Sequence, residues 1–314
     1  MFHYKIYGLT VLSDLELPDA QGSVLQRDPG NADVVIRLHT VSQDYLKDEK
    51  LVSRGDSWCY LVSDPQLLYM RFLGFDFEVS NGCSIKVDRH GQDVTDTKLI
   101  TFLLGSALGV IGMQRGLIPI HGTAIAAQNK ALLLTGSVGS GKSAILGSLI
   151  KDGYQYLADD VSMIVVDGGT PYVLPSYPQR KIAASTAEEI GEDVSGAVLL
   201  DESGRDKYAI RRACEWLDKK LPLSGIVELV TENRENEPGF TPEVQEIQGH
   251  ASLKLVLRNQ YRPHFVAKIG TPPERMKHLL EITSSVRTFQ LTRPVTGYPV
   301  DATARMLAEK CFPD

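Results

Sequence analysis

The residues with the clearest chemical meaning form one run, Gly136-Ser137-Val138-Gly139-Ser140-Gly141-Lys142-Ser143, which satisfies G-x-x-x-x-G-K-[ST] at every defined position. Glycines let the backbone turn so that successive N–H groups converge on phosphate oxygens. A helix starting near Lys142, with Ala144 in its first turn, presents its unpaired N–H groups and positive dipole end to the same anion. Lys142 supplies a full charge for the β- and γ-phosphates, and the Ser143 hydroxyl a ligand for Mg²⁺. The apolar run Ala131–Leu134 before the loop and the continuation Ala144–Ile150 after it are the strand and helix such a loop requires. The expected ligand is ATP with Mg²⁺.

One helix and one strand further on, Leu157-Ala158-Asp159-Asp160 ends a short apolar run with two carboxylates. An acid at a strand end beside a phosphate loop can hold Mg²⁺, and a second can accept a hydroxyl proton during phosphoryl transfer. Taken alone, an Asp-Asp pair is more often a polar turn, and the lone His121 more often a satisfied structural residue. Arg180, Lys181, Arg211, Arg212, Arg258 and Arg262 are the candidates for stabilising charge on the transferring group. Arg180 is preferred because it follows the stiff Pro175-Ser176-Tyr177-Pro178 turn.

These residues need a scaffold. Before residue 95 the sequence reads as short strands, Val34–Leu38, Trp58–Val62 and Leu67–Phe72, separated by turn clusters at Asp28-Pro29-Gly30, Asp64-Pro65 and Asn81-Gly82. Asp96 or Thr97 is the expected cap of a helix running from Lys98 to about Gln114. Strands then follow at Ile118–Ala126 and Lys130–Thr135, the loop, a helix at Lys142–Asp152, and strands at Tyr154–Ala158 and Ser162–Val166. Beyond these, the pattern predicts helices at Ala183–Ile190, His250–Arg258, Pro273–Ser284 and Asp301–Lys310, with strands at Lys207–Arg211 and Ser224–Val230. The expected architecture is α/β. A smaller β-rich N-terminal domain covers residues 1–95, and an α/β domain carrying the loop covers residues 96–314.

A net charge of −6, with acidic residues gathered at Glu188–Asp193 and Glu232–Glu246, opposes binding to nucleic acid or anionic membranes. The longest apolar stretch, Leu99–Met113, is short for a bilayer and carries three glycines, so a buried helix is expected. Four scattered cysteines make neither a zinc site nor a disulfide framework, and the N-terminal MFHYKIYGL lacks a secretory pattern. The expected compartment is the cytoplasm.

His121-Gly122, the loop and Ala158-Asp159-Asp160 together resemble the catalytic domain of the HPr kinase/phosphorylase family over roughly residues 117–166. The resemblance implies that Lys142 and Ser143 bind phosphate and Mg²⁺, that Asp160 helps hold the metal, that Asp159 is the general base, and that His121 lies beside it. It also implies a homo-oligomer. The family's E-x-R-G-L-G segment is missing here. In its place stands Pro175-Ser-Tyr-Pro-Gln-Arg180-Lys181, similar to divergent members. The layout, with Tyr7-Gly8-Leu9 near the start, resembles kinases of lasso-peptide clusters, which phosphorylate a serine of the precursor peptide. The expected activity is transfer of the γ-phosphate to a serine of a peptide or small protein. A nucleotide-gated switch with little catalysis and a small-molecule kinase are the alternatives. No L-S-G-G-Q of a transporter ATPase and no N-K-x-D of a GTPase follows the loop.

Overall fold

The computed structural model describes residues 1–25, 30–53, 58–90, 95–202, 205–233, 241–295 and 297–312. Asp28 and Pro29 of the first expected turn, and residues 234–240 of the acidic run, lie outside them.

Alternating inward apolar positions fold the described residues up to Arg89 into one sheet. Its strands are β1 (Phe2–Ile6), β2 (Leu9–Ser13), β3 (Val34–Leu38), β4 (Val52–Ser53), β5 (Trp58–Asp64), β6 (Leu67–Phe72), β7 (Phe75–Ser80) and β8 (Ser84–Arg89), in the order β1-β2-β3-β8-β7-β6-β5-β4. The expected turn at Asn81-Gly82 is the β7–β8 connection, with both residues at positive φ. Helix α1 (Asp96–Phe102) follows, capped by the Thr95 side chain rather than by Asp96 or Thr97. A π-turn, Leu103–Ala107, joins it to α2 (Leu108–Gln114). This is the one described helix long and apolar enough to span a bilayer, and most of it is buried inside the molecule.

The packing does not divide at residue 95. Leu99, Leu103, Val110 and Ile111 share one core with Tyr4, Ile36, Met70 and Phe77 of the N-terminal sheet, because the helix lays its apolar side across the sheet's inner face.

The remaining chain is mixed α/β. It contains β9 (Ile118–Ala127), β10 (Lys130–Gly136), α3 (Lys142–Lys151), β11 (Gln155–Ala158), β12 (Val161–Asp167) and β13 (Thr170–Leu174). Next come β14 (Arg180–Ala183), α4 (Ala184–Ile190), β15 (Val198–Glu202) and β16 (Arg205–Ile210), the strands forming a small separate sheet ordered β14-β16-β15. Last are β17 (Leu221–Glu232), β18 (Glu243–Ile247), α5 (His250–Arg258), α6 (Pro263–Ile269), α7 (Pro273–Ser285), β19 (Arg287–Pro294) and α8 (Val300–Cys311). The second large sheet runs β10-β9-β12-β13-β17-β19-β18, and β10 also pairs with β17, closing five of its strands into a ring. β10, β17 and β19 are mutually parallel, so their carboxyl ends lie together. Ligand crevices form outside such ends.

Candidate functional site

The loop leaves the carboxyl end of the buried strand β10. Gly136 turns at φ 134°, and a Cβ there would stand 2.5 Å from the Leu229 carbonyl oxygen, so only glycine fits beside β17. Helix α3 begins at Gly141 with no side-chain cap, which leaves its first N–H groups to an anion. Arg293, at the end of β19 and 4% exposed, holds the loop from behind. Its Nε donates to the Ser140 carbonyl at 2.8 Å and its Nη2 to that of Gly139 at 3.1 Å, while its guanidinium lies 4.3 Å over the Tyr298 ring. A trans peptide opposes C=O and N–H, so turning the Ser140 carbonyl toward Arg293 turns the Gly141 N–H into the loop. The Lys142 ammonium donates to the carbonyls of Gly136 at 2.7 Å and Ser137 at 3.0 Å. Burial lowers its pKa to about 8, against the pull of Asp159 and Asp160.

The two carboxylates sit in a very tight turn. The Val161 N–H donates to the Asp159 carbonyl at 2.8 Å across Asp160, whose φ is 67°. A γ-turn of positive φ is rare and strained. The turn is held in place from several sides. Gly122 N–H and His121 Nδ1 each approach the Asp160 carbonyl at 3.2 Å, and the Tyr7 hydroxyl donates to the Val161 carbonyl at 2.9 Å. Asp159 is buried, with its carboxylate taking the Thr123 hydroxyl and, at 2.7 Å, the Lys181 backbone N–H. Asp160 is the more open of the two, with its carboxylate 3.5 Å from His121 Nδ1 and 3.5 Å from Lys181 Nζ. Burial pushes the Asp160 carboxyl up, but Lys181, His121 and Lys207 outweigh it and hold it at about 2. His121 is lowered from its ordinary value, by burial first and Lys142 next, against the attraction of Asp160. Nδ1 faces only acceptor oxygens and so carries the proton, leaving the Nε2 lone pair on the other side of the ring.

A cleft of about 1220 Å³ joins these groups. Gly136, Ser137, Val138, His121, Asp160 and Lys181 line one side of it. Of the basic candidates, Lys181, Arg258 and Arg262 reach the cleft. The preference for Arg180 is corrected. Its side chain is 2% exposed, its Nε donates to Glu215 at 2.8 Å, and Glu192 lies 2.9 Å from Nη2 as an ion pair. A guanidinium so buried is held there by its two carboxylates and has none of its charge left for the cleft. Arg211 is likewise held by Asp19, and Arg212 by Glu192, Asp193 and Glu215. The expected division of the acid pair also shifts, because Asp159 spends its oxygens on Thr123 and Lys181 while Asp160 lines the cleft.

Sequence reasoning missed three contributors. Glu228, on β17 opposite Thr135 of β10, is a third carboxylate on the cleft wall, accepting from Arg258 Nε at 2.7 Å and Asn259 Nδ2 at 2.8 Å. An acid inside the apolar run Ile226-Val-Glu-Leu-Val230 was the available signal. Arg293 carried none, and Tyr7 stood out only as part of the Tyr7-Gly8-Leu9 segment, with nothing to tie it to the acid pair.

Among the described residues no group of three or more His, Cys, Asp or Glu stands ready for a metal. Mg²⁺ bound with phosphates asks less of a protein, often one or two oxygen donors. The ionised Asp160 and the hydroxyl of Ser143, in the first turn of α3, are hard donors of that kind.

No protein-family model matches the chain, and no curated protein matches it significantly. Among solved structures, it is similar to the HPr(Ser) kinase/phosphatase of Coxiella burnetii, at 12% identity and a TM-score of 0.31, over 62% of this chain and 99% of that one.

Proposed function

We propose that the protein is an ATP- and Mg²⁺-dependent serine kinase of the HPr-kinase-like type, transferring the γ-phosphate to a serine hydroxyl of a peptide or small protein. A lasso-peptide precursor is the finer reading of that acceptor. The observation that carries the proposal is one cleft shared by a glycine loop at a helix N-terminus, an ionised Asp160 and a histidine with a lone pair to offer.

The loop N–H groups and Lys142 hold the phosphates, with Arg293 fixing the peptide planes that aim those N–H groups. Ser143 and Asp160 hold Mg²⁺, which when bound neutralises charge on the β- and γ-phosphate oxygens. His121, neutral at pH 7, takes the serine proton on Nε2 while its Nδ1–H stays against the Asp160 oxygens. Asp159 keeps Thr123 and the start of β14 in register behind the turn. Arg258, braced by Glu228, is the guanidinium placed to meet charge spreading over the transferred group.

The test is purified protein with γ-labelled ATP, Mg²⁺ and serine peptides. Label should appear on peptide, and Lys142→Ala or Asp160→Asn should lower kcat/KM by on the order of a thousandfold. Release of free phosphate alone, with no labelled peptide, sinks the kinase assignment.

A further inference from the structure

The cleft wall carries an arginine, Arg262, whose backbone and partners set it apart from the other basic residues. Arg262 precedes Pro263 and caps α6 at φ 48°, ψ 61°. The left-handed region is uncommon for arginine, and a following proline restricts the residue further. Such strain persists where the surroundings over-determine it, and it clusters at functional sites.

The surroundings do so here. The Arg262 guanidinium lies 5.6 Å from the Phe72 ring centroid and 5.5 Å from that of Tyr261. Nη2 donates at 3.0 Å to the hydroxyl of Ser106, itself buried in the π-turn Leu103–Ala107, and π-turns recur at functional sites. The Tyr261 ring packs closely against two glycines of the helix. A Cβ at Gly109 would stand 3.1 Å from the ring, and one at Gly105 3.1 Å from its hydroxyl. The glycines that interrupt this apolar helix therefore seat the Tyr261-Arg262 corner.

Charge then separates Arg262 from its peers. Arg180, Arg211, Arg212 and Arg258 each face a carboxylate, and Lys181 faces Asp160. Arg262 faces no carboxylate among the described residues, and its Nε–H is buried without an acceptor. A guanidinium set near two rings, with donors to spare, matches a carboxylate. The phosphates have their own donors at the loop.

The geometry points to Arg262 as the residue that recognises a carboxylate on the acceptor, making the substrate an acidic peptide. This rests on the kinase reading for the meaning of "acceptor", but not for the binding itself. Arg262 is a specificity residue and takes no part in phosphate transfer.

Binding and transfer are therefore measured separately. The probes are fluorescein-labelled pools of serine-centred peptides, each with one flanking position fixed as Glu, as Gln or as Lys. Anisotropy is read with Mg²⁺ and a non-hydrolysable ATP analogue. The wild type should bind the Glu pool about tenfold or more tighter than the Gln pool at one position. Arg262→Gln should erase that difference, and Arg262→Glu should favour a Lys pool there. The affinity of a fluorescent ATP analogue should stay as in the wild type. No discriminating position in the wild type, or discrimination surviving in Arg262→Gln, overturns the proposal and leaves Arg262 a packing residue. A fall in nucleotide affinity as large as the fall in peptide affinity assigns the guanidinium to ATP and also overturns it. If Glu peptides bind selectively yet receive no phosphate, the kinase reading fails and this one stands.

Discussion

At the residue scale the site is defined by three displaced titrations: Lys142 brought down to about 8, His121 below its ordinary value and Asp160 at about 2. On the kinase reading proposed above, the protein acts with His121 neutral and Lys142 charged, so kcat/KM should be bell-shaped. It should fall on the acid side below pH 6.5 as His121 gains its proton, and on the alkaline side near pH 8 as Lys142 loses one. His121→Asn should lower the plateau and remove the acid limb. An acid limb that survives unchanged would take His121 out of the proton transfer. The lysine also makes a stability statement. Its folded pKa lies below the unfolded 10.5, so burying its charge costs the full amount below about pH 8 and nothing above pH 10.5. Relative to Lys142→Met, the wild type should therefore gain about 3 kcal/mol as pH rises across that window, read from urea unfolding of the two proteins at each pH. A flat difference would mean the ammonium is solvated.

Elements decide how those residues are held. The parallel trio β10, β17 and β19 brings the loop, Glu228 and Arg293 to one end of the sheet. The β1–β2 turn places Tyr7, itself at φ 54°, so that its hydroxyl reaches the carbonyl just beyond the Asp159–Asp160 turn. Removing that hydroxyl frees one side of a strained turn without touching the loop. Tyr7→Phe should lower kcat several-fold, in line with one lost buried hydrogen bond of about 1 kcal/mol, and leave the KM for ATP unchanged. An equal effect on both would point to general destabilisation instead. Element positions were largely legible from the sequence: the strand-loop-helix around Lys142 and the helices near Pro273 and Asp301 match within a residue or two. The pattern does not mark β1, β2, β4, β7, β8, β13, β14, β15, β18 or β19, because a strand's fit depends on cross-strand and same-face neighbours that a single segment does not show.

For the whole molecule, the consequence is that the β-rich N-terminal part and the α/β part are not separable. The helix that opens the second part buries its apolar face in the first, and Phe265 and Ile269 of α6 join the same core. Residues 96–314 expressed alone should expose that face and lose near-ultraviolet circular dichroism and cooperative unfolding. A sharp thermal transition in the truncated chain would contradict the shared core. What the sequence determined by itself was the strand, glycine-rich turn and helix around Lys142 and the adjacency of the two aspartates, because both are contiguous runs shaped by neighbours in the chain. Only the tertiary structure decided which partners surround them. Tyr7 meets Val161 across 154 positions and Arg293 meets Ser140 across 153, and no local pattern marks such pairs. The same long-range folding set Arg180 against two carboxylates and left Arg262 facing the cleft, though the two arginines look alike in the sequence.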